Sequence, residues 1–130
     1  MAWGWAYAAA LVALGVLDGL WLGFVARDFY RQEIGAQMVD EVRKVPALAF
    51  YLLYPVGLMA LALHPLPADW KGALGRGALV GVVAYATYDL TNLATLKQWS
   101  WRLAAADIAW GTFISACAAV AAYLVLTRAR

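Results

Sequence analysis

Apolar residues fill four long stretches of the chain, and three segments that carry most of the charged residues separate them. A helix needs about 20 mostly apolar residues to cross the hydrocarbon core of a bilayer, and each stretch is of that order. The pattern therefore predicts four membrane-spanning helices. They cover residues 3–25, 46–63, 72–96 and 103–126.

The three connections differ in length and composition. Residues 26–45 form the only long polar connection, which we expect to be a short helix at the membrane surface with a turn near Gly35. Residues 64–71 contain prolines, which end helices, and residues 97–102 form a tight hairpin. Because short connections force consecutive helices to run antiparallel, we predict an all-α fold: an integral membrane four-helix up-down-up-down bundle that makes residues 1–130 a single transmembrane domain.

The composition excludes a water-soluble globule. Of the 130 residues, 65% are apolar and only 14% are charged, whereas soluble domains carry about a quarter charged residues. The net charge of +2 gives no reason to expect nucleic acid as a partner. A single cysteine, Cys117, excludes an intramolecular disulfide. The first apolar stretch lacks a basic leader, so we expect it to stay as a membrane span rather than to be cleaved as a signal peptide.

Basic residues are distributed unevenly between the two ends of the predicted bundle. Six lie at the first and third connections, and four, including Arg130, lie toward the other end. Cytoplasmic loops carry an excess of lysine and arginine. We therefore expect the first and third connections to face the cytoplasm.

Small residues recur at every fourth position on three predicted helices. In lipid, such faces let helix backbones approach closely. We expect these faces mainly to pack helices within the chain, with a homodimer as the alternative. They are Gly15, Gly19 and Gly23, then Gly77 and Gly81, then Gly111, Ser115 and Ala119.

Three acidic residues, Asp18, Asp89 and Asp107, lie inside predicted spans. A carboxylate at such depth costs at least a few kcal/mol unless it is neutral, paired or hydrated, so it usually has a function. At the rise of an α-helix, the three residues lie about 13, 12 and 8 Å from the nearest basic residue of the first or third connection. All three are therefore predicted to lie toward the same side of the membrane, and they are the candidate catalytic residues.

Aromatic residues accompany these acids in a repeated pattern. The four spans contain, in order, DxxW, YxxY, YxxY and DxxW, an arrangement that either reflects pseudo-symmetry between the halves or arises by chance. With one asparagine at similar depth, these residues are the candidates for binding a substrate. They are Trp21, Tyr51, Tyr54, Tyr85, Tyr88, Asn92 and Trp110.

No lysine, arginine or histidine lies at the depth of the three acids. Carboxyl groups that lie close together without a cation share protons. A site that takes up a proton, a metal ion or a cationic ligand would have this composition. The alternative is that the polar groups only hydrogen-bond to one another and hold the helices together, at about 1 kcal/mol per contact.

One stretch resembles a known family. Residues 84–96 read AYATYDLTNLATL, and further matches are DGLWL at 18–22, FYLLY at 50–54 and DIAWG at 107–111. The chain thereby resembles the bacterial four-helix membrane proteins catalogued as domain of unknown function 2177. The resemblance implies a multi-pass protein of the bacterial cytoplasmic (inner) membrane, with relatives often encoded near cyclopropane-synthase-like and flavin-oxidase-like enzymes of lipid modification. It identifies neither a catalytic residue nor a cofactor.

Three functions are compatible with these patterns. The first is an enzyme or accessory factor that handles or modifies a membrane lipid or another hydrophobic small molecule, with the three acids as acid–base groups or metal ligands. The second is a proton-coupled exporter of cations, which would require an oligomer because four helices seldom enclose a pathway. The third is a structural or assembly subunit without chemistry. The sequence favours the first and leaves open whether the protein is an enzyme.

Overall fold

The computed structural model describes residues 1–38 and 43–128, and every regular element in these ranges is a helix. Asp40 and Glu41 of the first connection and Arg130 of the charge count lie outside the described residues. The helices are α1 (Ala2–Leu20), which continues as a π-helical turn (Trp21–Val25), α2 (Arg27–Ile34), which is followed by a 3-10 turn (Gly35–Gln37), α3 (Lys44–Ala62), α4 (Trp70–Thr95) and α5 (Trp101–Arg128).

The long helices begin and end within two residues of the predicted bounds. Three helical segments are long and apolar enough to cross a membrane: Ala2–Val25, Lys44–Ala62 and Trp101–Arg128. Helix α4 is not among them, because polar residues such as Asp89 and Asn92 interrupt its apolar sequence. The helix predicted in the first connection is present as α2, and its turn starts at Gly35.

Helix α5 is the centre of the fold. It packs along α4 on one side and along α1 on the other, while α3 makes looser contacts with α1, α4 and α5. Helices α4 and α5 run antiparallel, since Gly77 faces Ala119 whereas Gly81 faces Gly111. The side chains between the helices are small or aliphatic. Among the fully buried ones are Ala6, Ala10, Leu14, Leu58, Ile114, Ala118 and Ala122.

The small residues of α4 and α5 bring these two helices into backbone contact. A Cβ atom on Gly77 would lie 2.6 Å from the Cβ atom of Ala119, and one on Gly81 would lie 2.6 Å from the carbonyl oxygen of Gly111. Only glycine leaves room for such an approach, as expected of small-residue faces in lipid. The predicted packing role of these glycines is confirmed.

The same expectation is wrong for α1. A Cβ atom on Gly15, Gly19 or Gly23 would meet nothing within 4 Å. The reason is the face that α1 turns inward: its buried residues recur every four positions from Ala6 to Asp18. The glycines are each one residue further along, which is about 100° around the helix. They therefore lie beside the buried stripe and not within it.

A proline weakens α3 close to Tyr51. Pro55 lies buried inside the helix and has no N–H to donate to the carbonyl of Tyr51 one turn earlier. A proline ring also pushes against the preceding turn. The hydroxyl of Tyr7 donates to the neighbouring carbonyl of Leu52 at 2.8 Å and so ties α1 to α3 at this point.

Polar contacts join the first and third connections at one end of the bundle. Glu33 pairs with Arg102 at 3.4 Å, and the Arg102 guanidinium lies over the ring of Phe29 at 5.4 Å. The side chain of Gln37 donates to the carbonyl of Gln98 at 3.0 Å. Helix α2 is thereby held over the end of α4 and the start of α5.

We predict that Gly81→Ala destabilises the protein by about 1–3 kcal/mol, the usual cost of overpacking a close contact. The added methyl group would meet backbone atoms of α5, and these cannot turn away. Gly15→Ala is the matched control, because its methyl group meets open space and alanine favours a helix. Thermal unfolding in detergent measures both. Equal unfolding temperatures for the two variants would contradict the α4–α5 contact.

Candidate functional site

Asp18, on the inner face of α1, accepts hydrogen bonds from two side chains. The indole Nε1 of Trp110 donates to its Oδ1 at 2.8 Å, and the hydroxyl of Tyr51 donates to its Oδ2 at 2.6 Å. The residue is only 9% exposed. Both carboxyl oxygens of Asp18 therefore have a partner, and α1, α3 and α5 are joined through one side chain.

Asp107 receives its hydrogen bond from a residue that the sequence analysis did not select. The hydroxyl of Tyr30, on α2, donates to Asp107 Oδ1 at 2.6 Å and accepts a longer bond, of 3.3 Å, from the indole of Trp21. Burial, followed by the hydrogen bond to Asp107, raises the pKa of Tyr30 far above its usual value. The phenol therefore stays neutral and remains a donor.

One signal in the sequence could have identified Tyr30. The surface helix was predicted to lie at the same end as the three acids, and Tyr30 is one of its two aromatic residues. Which of the two turns inward depends on how α2 is oriented. That orientation comes from the Glu33–Arg102 pair and from Arg102 over Phe29, and both are tertiary contacts.

The two tryptophans of the DxxW pairs stack face to face. The ring centroids of Trp21 and Trp110 are 4.5 Å apart, and their planes differ by 9°. Helix α1 runs toward this end of the bundle and α5 runs away from it. Trp110 therefore lies near the depth of Asp18, about 12 Å from the connections, and Trp21 lies near the depth of Asp107, about 8–9 Å from them. Asp18 of α1 accepts a hydrogen bond directly from Trp110 of α5. Asp107 of α5 is linked to Trp21 of α1 through the hydroxyl of Tyr30.

Asp89 differs from the other two acids. It is fully buried on α4, and neither of its carboxyl oxygens has a hydrogen-bond partner among the described residues. The carboxyl group of Asp107 and the indole of Trp99 are its polar neighbours, and Trp99 Nε1 is likewise buried without a partner in the described ranges. Two carboxyl groups can hydrogen-bond to each other only if one of them carries a proton. The pair is therefore complete when Asp89 and Asp107 share one proton.

The tyrosines of α3 and α4 extend from this pair toward the middle of the bundle. The ring of Tyr85 lies over Gly111, where it would overlap with a Cβ atom on that residue. The hydroxyl groups of Tyr54 and Ser115 are 2.6 Å apart and hydrogen-bonded. Tyr85 and Tyr54 also meet edge to face, with centroids 6.3 Å apart.

Two predicted residues lie at the margin of this cluster. Tyr88 is 56% exposed and contacts Trp99 edge to face at 5.6 Å. Asn92 is half-buried, beside Tyr88 and one turn after it on α4. Asp18, Trp21, Tyr51 and Trp110 form one connected group, whereas Tyr88 and Asn92 line its outer edge.

Two cavities lie between α3 and α4, and both are lined by Phe50, Tyr54 and Ala84. The smaller, of about 440 Å³, is lined by tyrosines and reaches Asp107. The larger, of about 720 Å³, is lined by aliphatic, aromatic and glycine residues, with Arg76 as its only charged residue. Because they share lining residues, we treat them as one feature, the α3–α4 groove. Exposed side chains such as Leu53 and Leu79 border the groove, so it faces the surroundings of the bundle.

The carboxyl groups have no cationic partner in the part of the chain that the structure describes. The only ion pair there joins Glu33 and Arg102, outside the cluster. The described residues also contain no group of three or more histidine, cysteine, aspartate or glutamate side chains arranged to hold a metal ion. Among the described residues, Asp89 and Asp107 are therefore neighbours in a pair and not members of a larger cluster of possible metal ligands.

Comparison with known proteins identifies the family of the chain but not its chemistry. No curated protein and no solved structure shows significant similarity to it. A family model described as a predicted membrane protein, domain of unknown function 2177, matches residues 3–124. The match covers nearly the whole chain, including every residue of the cluster described above. The protein therefore belongs to the membrane protein family of domain of unknown function 2177.

Proposed function

We propose that the protein binds a lipid or another hydrophobic small molecule in the α3–α4 groove, where Asp107 reaches the ligand as a proton donor or acceptor and the buried Asp89 behind it shares its proton. The observation that carries the proposal is the buried Asp89 with two unpartnered oxygens. Burying a polar group without a hydrogen bond costs on the order of 1–3 kcal/mol in proteins, so a feature of this kind is retained where it has a use.

The remaining polar residues would position this pair and its ligand. Asp18 already accepts a hydrogen bond at each carboxyl oxygen. Its proposed role is to orient Tyr51 and Trp110. Tyr51, Tyr54, Tyr85 and Tyr88 line the smaller cavity, where their rings and hydroxyl groups would contact the ligand.

The proposal places the site inside the bilayer. We infer that α4 crosses the membrane together with the three more apolar helices, which gives four antiparallel spans. The first and third connections would then face the cytoplasm of a bacterium, with the protein in its cytoplasmic membrane. A ligand could enter the groove sideways from the bilayer, since the groove lies on the outer surface of the bundle.

The two alternative functions have weaker support. A cation exporter needs polar groups along the whole route, but the acids and tyrosines lie toward one end. A purely structural role would be served better by an aspartate with hydrogen-bond donors at both oxygens, as Asp18 has, whereas Asp89 faces another carboxyl group and a buried indole. The open glycine face of α1 suits a homodimer, which would be compatible with any of the three functions.

Four spans predict a definite pattern of labelling in intact cells. Single cysteines at Gln37, Ala68 and Gln98, introduced into a Cys117→Ala background, would be tested with a maleimide that does not cross membranes. We expect positions 37 and 98 to be both labelled or both unlabelled, and position 68 to show the other result, because α3 and α4 would each cross the membrane once. The same reactivity at 68 and 98 would show that α4 does not span.

The shared proton predicts a vibrational signature. A pair of carboxyl groups that shares one proton contains one protonated carboxyl group. Infrared spectra of the purified protein near neutral pH should therefore contain a protonated carboxyl band that disappears in Asp89→Asn and in Asp107→Asn. Asp28→Asn, the same change at an exposed site on α2, is the control and should keep the band. A band that survives in both cluster variants would refute the shared proton.

Asp89→Asn separates chemistry from helix packing. The amide keeps the shape of the side chain but cannot exchange a proton, so we expect a folded protein, within about 1 kcal/mol of the original stability, that has lost its function. The membrane lipid composition of a deletion strain that carries each variant is the readout, and Asp28→Asn and Cys117→Ala are the controls.

The outcomes of this experiment distinguish the three functions. A stable Asp89→Asn protein with an altered lipid composition supports the proposal. A stable protein with unaltered lipids and a changed tolerance to cations points to transport. If Asp89→Asn unfolds while the control variants stay folded, and every phenotype is lost with it, the role of Asp89 is structural.

A further inference from the structure

Arg76 lies in the wall of the larger cavity, where the other lining residues are aliphatic, aromatic or glycine. Its Nη1 donates to the carbonyl oxygens of Ala62 and Pro65, at the end of α3. It makes no ion pair within the described ranges. Since a guanidinium group has five N–H donors, Arg76 keeps its charge and several donors available beside an apolar cavity.

We propose that Arg76 binds the phosphate of an anionic phospholipid and that one acyl chain of this lipid occupies the α3–α4 groove. The proposal rests on the proposed function, because it names the class of molecule that reaches the same tyrosine-lined cavity. The charge of Arg76 and the apolar lining of the groove match the two parts of such a lipid.

The length of the groove fits an acyl chain. Arg76 and Tyr85 are nine residues apart on α4, which is about 14 Å along the helix axis. One leaflet of a bilayer contributes about half of the 30 Å hydrocarbon core, or about 15 Å. A chain that starts at Arg76 would therefore end near Tyr85 and Tyr54, next to the cavity that reaches Asp107.

Two features favour an anionic phospholipid over other amphiphiles. A phosphate diester stays ionised and accepts two parallel hydrogen bonds from one guanidinium group, whereas a fatty acid is readily protonated in apolar surroundings. The described charges at this end are mainly basic, with Lys71, Arg76 and Arg128 against Asp69. The carboxylate of Asp69 is already engaged by the N–H of Gly72. The ammonium group of a zwitterionic lipid would find little to pair with.

The test compares which lipids stay bound to the purified full chain. The protein would be placed in nanodiscs made of equal parts phosphatidylglycerol and phosphatidylcholine with identical oleoyl chains, released in mild detergent and analysed by native mass spectrometry. We expect phosphatidylglycerol to be retained at least tenfold over phosphatidylcholine. Arg76→Gln should bring this ratio close to one, while Lys71→Gln, which removes the same charge from an exposed site on the same helix, should leave it unchanged.

Two further variants keep the result interpretable. Arg76→Lys retains the charge and should keep a reduced preference even if Arg76→Gln folds poorly. Gly57→Leu fills the groove, where a side chain has open space, and should lower the retention of both lipids. An unchanged ratio in Arg76→Gln, or an equal loss in Lys71→Gln, would overturn the proposal. Added oleate that binds through Arg76 in place of phosphatidylglycerol would also overturn it, in favour of a free fatty acid.

Failure of this inference is distinguishable from failure of the proposed function. Asp89→Asn should retain phosphatidylglycerol like the unmodified protein, because Asp89 lies far from Arg76 on α4. If Arg76→Gln keeps the lipid preference while Asp89→Asn changes the cellular lipids, only the proposed binding of a phosphate by Arg76 is wrong. If Arg76→Gln loses the preference while Asp89→Asn has no effect on cellular lipids, the phosphate binding by Arg76 is supported and the proposed chemistry is not.

Discussion

The contact between the backbones of α4 and α5 determines where the carboxyl groups lie. With Gly81 against the carbonyl of Gly111, the two helices are as close as backbones allow, and the acids one to two turns further along meet side by side. The ring of Tyr85 then lies flat over Gly111, which bounds the pair on the side of the bundle centre. A bulkier residue at Gly81 would meet the backbone of α5 and move Asp89 away from Asp107, so packing and candidate chemistry depend on the same contact.

The antiparallel course of α1 and α5 has a similar effect on the aromatic residues. A DxxW sequence places its tryptophan about 4–5 Å further along its own helix than its aspartate. When two such helices run in opposite directions, each tryptophan comes level with the aspartate of the other. The stack of Trp21 on Trp110 follows from this geometry, and it closes the site on the side of α1. The palindromic order of the motifs therefore has a structural meaning whether or not the halves share an origin.

Helix rise alone was enough to predict that the three aspartates lie toward one end, because depth along a helix depends only on residue count. The rotation of a helix about its axis was harder to predict. The GxxxG pattern of α1 looked like the packing faces of α4 and α5, yet the neighbours of α1 contact its alanine and leucine stripe instead. Individual hydrogen bonds could not be predicted. The donors that saturate Asp18 come from α3 and α5, and Asp89 meets only Asp107 of α5 and Trp99 of the third connection.

Charge and burial divide the α3–α4 groove into two ends with opposite requirements. At one end a half-buried arginine, whose hydrogen bonds within the described residues go only to backbone carbonyls, would be stabilised by an anion. At the other end two carboxyl groups without a cation exclude an anion and favour a neutral or proton-accepting group. A ligand that satisfies both ends must be polar and negative at its head and neutral where it reaches the tyrosines. An anionic lipid with its acyl chain along the groove has this distribution, and any chemistry at the aspartates would then act on the chain rather than on the head group.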